Sequence, residues 1–77
     1  MNTKSAHIRS IAILGATGSV GTQALEVIRA HPDRFTVTVL TAQFNADLLI
    51  QQAIEFKPQY VVIGDKSKYE YVKDALQ

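Results

Sequence analysis

The stretch Leu14-Gly15-Ala16-Thr17-Gly18-Ser19-Val20-Gly21 decides the fold. An apolar, strand-like run from Ile8 to Leu14 precedes it, and a helix-like run from Ser19 to Ala30 follows it. A glycine cluster at such a strand-to-helix turn is where a parallel α/β domain holds the diphosphate of a dinucleotide. The first turn of a helix carries backbone N–H groups with no partner inside the helix. Aligned peptide dipoles add about half a positive charge there, so an anion is stabilised without a lysine. In this reading Gly15 makes the tight turn off the strand and Gly18 lets the backbone approach the anion. Gly21 lets the helix lie close to the strand, and Thr17 and Ser19 offer hydroxyls to phosphate oxygens or to the helix end. The Gly-x-x-Gly-x-x-Gly spacing suggests the variant used by NADP-dependent reductases and extended dehydrogenases.

Around this turn the chain alternates. Phe35 to Leu40 is β-branched and apolar and predicts a second strand. Thr41 to Asn45 predicts a loop, Ala46 to Phe56 a second helix, Tyr60 to Ile63 a third strand, and Gly64-Asp65 a turn. Ser67 is placed to cap a last helix over Lys68 to Leu76. His31-Pro32-Asp33 and Lys57-Pro58 end the first two helices, because proline disfavours helical geometry in the residue before it. The expected inward stripes are Val20, Ala24, Val27 and Ile28 on the first helix, Leu49, Ile50, Ala53 and Ile54 on the second, and Tyr69, Val72 and Leu76 on the third. The unbroken apolar run Ile11 to Leu14 predicts a strand covered on both faces. Met1 to Ala6 is polar and expected to be a loose tail.

The order β-α-β-α-β-α is the first half of a Rossmann-like, three-layer, doubly wound domain with a parallel sheet. Residues 1–77 then form the amino-terminal part of a dinucleotide-binding domain, without the second half that completes the crevice. The sheet edge beside the first strand is expected to be unpaired. A chain of 77 residues buries only about 60% of its unfolded surface. Marginal stability, pairing through the open edge, or excision from a longer protein are the expectations.

Composition narrows the function. The chain carries net charge +1 with interspersed charges and no basic stripe to follow a nucleic-acid backbone. It has no cysteine, which removes disulfides and thiolate metal sites. His7 and His31 lack ligand spacing and are expected to face solvent. No run approaches the ~20 apolar residues of a membrane span, and the amino end, with Lys4 and Arg9, lacks a secretory pattern. A cytoplasmic setting follows as the expectation. The carboxylates Glu26, Asp33, Asp47, Glu55, Asp65, Glu70 and Asp74 read as surface groups, caps or turns, and Tyr60, Tyr69 and Tyr71 as packing or surface aromatics. No catalytic residue is identified.

NAD-binding versions of this turn place an acidic residue about 20 positions on, to accept the ribose hydroxyls. Here that segment is Thr41-Ala42-Gln43-Phe44-Asn45, with no carboxylate. Without that negative charge a 2′-phosphate is not repelled, which favours NADPH over NADH. No lysine or arginine lies in the segment either, so Gln43, Asn45 and backbone N–H groups are left to hold the phosphate. Asn45 reads equally well as a helix cap.

The run Leu14 to Ile28, with His31-Pro32-Asp33-Arg34-Phe35, closely resembles the start of the 1-deoxy-D-xylulose 5-phosphate reductoisomerase family. Leu40-Thr41-Ala42 with Asn45, Phe56-Lys57-Pro58 and Val61-Val62-Ile63 keep step with it, so the resemblance covers about residues 7 to 77. It implies an NADPH-dependent, homodimeric enzyme of non-mevalonate isoprenoid synthesis. That enzyme rearranges 1-deoxy-D-xylulose 5-phosphate and reduces the product to 2-C-methyl-D-erythritol 4-phosphate, with Mg or Mn holding the substrate. By position, Thr17, Gly18, Ser19 and Val20 contact the diphosphate, while Gln43, Phe44 and Asn45 lie by the 2′-phosphate ribose. Many members carry glycine and then a basic residue where this chain has Gln43 and Phe44. A charge-assisted hydrogen bond contributes about 1.5–3 kcal/mol, so its loss weakens NADPH by roughly ten- to a hundredfold. The family's metal, substrate and catalytic residues lie beyond Gln77, which makes the segment inactive by itself. Another NADP-dependent reductase or epimerase explains the first 30 residues but not the His-Pro-Asp stop. A stand-alone nucleotide-binding or association module is the remaining alternative.

Overall fold

The computed structural model describes residues 8–77, so the Met1–Ala6 tail and His7 lie outside the described residues. Three strands, β1 (Arg9–Ile13), β2 (Phe35–Ala42) and β3 (Tyr60–Ile63), alternate with helices α1 (Ser19–Ala30), α2 (Ala46–Phe56) and α3 (Tyr69–Leu76). The strands are parallel and ordered β1-β2-β3, which puts β1 at an edge of the sheet.

The core lies where α1 and α2 cover one face of the sheet. Ile13, Val37, Leu40 and Ala42 of the strands meet Leu25 and Ile28 of α1 and Leu49 and Ala53 of α2. Ile11, Phe35, Val61, Ile63 and Leu76 pack against that cluster. Strand alternation would turn Leu40 away from the face that holds Val37. A bulge corrects the phase: the β1–β2 register slips between Ile11 and Ala12, so that Ile11 faces Val37 and Ala12 faces Val39. Thr38, the extra residue, donates its hydroxyl to the Ile11 carbonyl at 3.2 Å.

Both long helices end as their prolines require. The His31 N–H bonds the Ile28 carbonyl at 3.0 Å. Lys57 ends α2 in the left-handed conformation, φ 51°, with its N–H on the Ala53 carbonyl. Several sequence expectations need correction. β2 runs on through Thr41 and Ala42, because these residues pair with Val62 and Ile63 of β3. α1 turns Gly21, Leu25 and Ile28 inward, while Val20 and Val27 are exposed. α2 buries Gln52 and leaves Ile54 out, and on α3 Tyr69 is exposed while Val72 is buried. α3 is entered through a 3₁₀ turn, Lys66–Lys68. Asp65, not Ser67, caps that turn: its carboxylate accepts from the Ser67 N–H at 3.0 Å and hydroxyl at 2.7 Å. These bonds hold the Asp65 carboxyl below the usual carboxylate range. Within residues 8–77 the second face of β1 is open at Ala12. Tyr60 and Val62 of β3 are exposed on the same side.

Candidate functional site

Three turns meet at the carboxyl ends of the parallel strands, the position at which open α/β sheets receive ligands. The first is Leu14 to Gly18. Gly15 has φ +70°, a conformation that L side chains rarely adopt, and this is the tight turn off β1. The Gly15 N–H donates to the Thr41 hydroxyl at 3.0 Å, and the Ala16 N–H to the Thr41 carbonyl at 2.7 Å. Thr41 therefore pins the turn with both its side chain and its backbone. From behind, the Gln52 amide nitrogen donates to the Ala16 carbonyl at 2.8 Å. Ala16 itself is fully buried.

Gly21 and Gly18 are glycines for different reasons. A Cβ on Gly21 would collide with the Gly15 carbonyl oxygen and lie 2.8 Å from the Ala16 Cα. Backbone on both sides leaves no room to yield, so Gly21 allows α1 to rest on the turn. This contact also sets the helix rotation that puts Leu25 and Ile28 inward and Val20 outward. A Cβ on Gly18 would meet only the Gly15 carbonyl, at an ordinary 3.5 Å. Nothing within the protein requires glycine at that position.

Gly18 is the N-cap of α1, and no side chain caps the helix. Thr17 and Ser19 were expected as possible caps. Thr17 is half-buried and Ser19 exposed, and neither hydroxyl closes the helix end. The N–H groups of Ser19, Val20 and Gly21 have no protein partner among the described residues. No acidic residue lies in the first turn. The arrangement is a set of convergent donors at the positive end of a helix, exposed at Gly18, Ser19 and Val20.

The second turn, Gln43-Phe44-Asn45, is exposed throughout. Its backbone is fixed by the third turn: the Gly64 N–H donates to the Ala42 carbonyl at 2.8 Å, and the Asp65 N–H to the Gln43 carbonyl at 2.9 Å. The Gln43 side chain lies across Gly64, where a Cβ would strike its amide group. Asn45 is the N-cap of α2, its side-chain oxygen accepting from the Leu48 N–H at 3.1 Å. Asp47, in the first turn of α2, accepts from the Tyr71 hydroxyl at 2.5 Å. That bond raises the Tyr71 pKa above its ordinary value.

Of the nine sequence-identified residues, Gly15, Thr17 and Gly18 lie on the first turn, Ser19, Val20 and Gly21 at the start of α1 that follows it, and Gln43, Phe44 and Asn45 on the second turn. Sequence reasoning missed Thr41 as the anchor of the first turn and Gln52 as its buried support. Gln52 had a signal: it lies three residues after Leu49 and one before Ala53, in the inward period of α2. Its side-chain oxygen is buried without a partner.

A parallel βαβαβα unit with an uncapped glycine turn defines the class: the first half of a doubly wound domain of the nucleotide-binding type. Sequence comparison then makes the assignment specific. Residues 11–77 match the model of the 1-deoxy-D-xylulose 5-phosphate reductoisomerase family, and the chain belongs to that family. The reductoisomerase of Porphyromonas gingivalis is 53% identical over 68 residues, and that of Phocaeicola vulgatus 54% identical over 68 residues. Each match covers 88% of this chain and 18% of the relative, so the chain spans under a fifth of the length of these proteins. Among solved structures, the Zymomonas mobilis reductoisomerase in complex with NADPH superposes with a TM-score of 0.87 at 38% identity. It is matched over 91% of this chain and 18% of its own. A reductoisomerase in complex with NADPH, fosmidomycin and magnesium gives a TM-score of 0.84 at 36% identity, over 90% of this chain and 17% of that one.

Proposed function

We propose that this chain is the amino-terminal NADPH-binding segment of a 1-deoxy-D-xylulose 5-phosphate reductoisomerase. The observation that carries the reading is the start of α1, where a glycine without a packing reason stands beside three N–H groups without partners. An anion placed there satisfies the donors and occupies the space a side chain at Gly18 would fill. The similar structures that hold NADPH support the choice of ligand.

In this proposal Gly15, Thr17, Gly18, Ser19, Val20 and Gly21 form the diphosphate cradle, and Gln43, Phe44 and Asn45 border the 2′-phosphate ribose. NADPH supplies the hydride. This chain's residues bind and orient it, using rigid backbone donors that cost little reorganisation. Thr41 and Gln52 hold the cradle in shape. The full-length enzyme would convert 1-deoxy-D-xylulose 5-phosphate into 2-C-methyl-D-erythritol 4-phosphate, as a homodimer in the cytoplasm with Mg or Mn at the substrate. Among the described residues no group of three His, Cys, Asp or Glu is placed to hold a metal ion. The proposal therefore assigns the metal ligands and the catalytic residues to other parts of the enzyme.

Isothermal titration of the full-length protein tests the cofactor. NADPH is expected to bind about tenfold or more tightly than NADH, since one charge-assisted contact to the 2′-phosphate is worth that much. Equal affinities would overturn the choice of NADPH.

A further inference from the structure

We infer that Lys68, from the 3₁₀ turn after β3, supplies the positive charge to the 2′-phosphate that residues 43–45 lack. The inference rests on the cofactor reading above and names the group that would make it selective. Between Thr41 and Asn45 the sequence holds no lysine or arginine. The fold brings one there from a distant position: the Lys68 ammonium donates to the Phe44 carbonyl at 2.8 Å. That carbonyl also accepts from the Ala46 N–H at 2.9 Å, so it marks the point at which the second turn enters α2.

The placement of Lys68 is built by its surroundings. Asp65 closes the 3₁₀ turn through its bonds to Ser67, and the Lys68 N–H returns to the Asp65 carbonyl at 3.0 Å. The same segment is joined to the second turn by the Gly64 and Asp65 N–H groups. Lys68 is half-buried, and its ammonium reaches the turn. An ammonium has three N–H donors. One is engaged by Phe44, and two remain for phosphate oxygens. A carbonyl partner fixes the position of the charge without cancelling it. One carboxylate lies close enough to act on Lys68, and it has other partners: Asp65 accepts from the Ser67 N–H and hydroxyl. Asp65 still acts on Lys68 through its charge, which moderates the field at the phosphate.

The experiment uses the full-length protein and titrates NADPH, NADH, 2′,5′-ADP and 5′-AMP. Lys68→Ala and Lys68→Met are expected to weaken NADPH and 2′,5′-ADP about tenfold, while NADH and 5′-AMP change less than twofold. Lys68→Met keeps the apolar stem, which guards against a loss that merely reflects unfolding. Lys68→Arg is expected to keep the preference. Lys73→Ala removes the same charge from the far end of α3, near Pro58 and Gln77, and is expected to leave all four affinities unchanged. Raising the salt concentration is expected to erode the NADPH preference of the native protein more than that of Lys68→Met. Two results would overturn the inference: a preference that survives in both Lys68→Ala and Lys68→Met, or an equal loss for NADPH and NADH. The second would mean that Lys68 only braces the Phe44 carbonyl. A native protein that does not prefer NADPH would instead fail the cofactor reading itself.

Discussion

The starts of α1 and α2 occupy equivalent places, each at the carboxyl end of a parallel strand, yet they are finished in opposite ways. At α2, Asn45 caps the helix and Asp47 adds a negative charge to the first turn. At α1 the N-cap is Gly18, no side chain reaches the free N–H groups, and the first turn holds no acid. Helix ends within a protein are normally satisfied by a side chain, by water or by a ligand. α2 meets its Leu48 N–H with its own side chain, whereas no side chain meets the free N–H groups at the start of α1. The glycines repeat the lesson at finer scale, with Gly21 explained by the backbone it touches and Gly18 by nothing in the chain.

Making α1 resemble α2 tests the comparison with the largest effect. Gly18→Asp would place a capping carboxylate on the free N–H groups. The Gly18 backbone, φ −79° and ψ 174°, already has the extended geometry of a capping residue. Stability of the full-length protein is expected to hold or to rise by a few tenths of a kcal/mol. NADPH and NADH affinity are both expected to fall about a hundredfold, or ~2.7 kcal/mol, through lost donors and direct repulsion. Titration and a thermal melt on the same sample separate the two effects. A stable Gly18→Asp protein that binds NADPH normally would place the diphosphate elsewhere.

Gly21→Ala tests the other half of the argument and is expected to act on the fold. The added methyl meets the Gly15 carbonyl and the Ala16 backbone, neither of which can turn aside. Overpacking of this kind costs about 1–3 kcal/mol, read as a lower thermal midpoint of the full-length protein. A midpoint equal to that of the native protein would mean that α1 does not rest on the turn as described.

How much of this was legible in the sequence follows the range of the forces involved. The α1, α2 and β3 boundaries could be read directly, because proline stops and apolar runs act locally. The rotation of α1 could not. Both Val20-Ala24-Val27-Ile28 and Gly21-Leu25-Ile28 are plausible inward faces by period alone. The choice is made by the contact of Gly21 with a turn six residues back, which periodicity does not encode. Gln52 lies in the inward period of α2, but its side chain is polar and carries no apolar signal of burial. The glycine turn was easier to read than the packing, since glycine spacing reports backbone geometry directly. Its support from Thr41, Gln52 and Lys68 comes from residues 23 or more positions from the turns they brace, and only the folded chain brings them together.

The smallest effect is expected at Asn45, where capping and ligand selection meet in one side chain. Its oxygen is engaged by the Leu48 N–H, which leaves its amide N–H groups as the donors it can offer to the ribose phosphate. Asn45→Ala removes the cap and is expected to cost about 1 kcal/mol of stability. Asn45→Asp keeps the cap, because aspartate serves as well as asparagine at this position. Its stability is therefore expected to match that of the native protein. What changes is the sign at the ribose: a carboxylate repels the 2′-phosphate of NADPH and accepts from the free hydroxyls of NADH. The ratio of NADPH to NADH affinity is expected to fall about tenfold in Asn45→Asp, equivalent to ~1.4 kcal/mol. Cofactor titration beside a thermal melt separates these outcomes. If Asn45→Asp left the ratio intact, the start of α2 would be a closed helix end only, and the contrast with α1 would become complete.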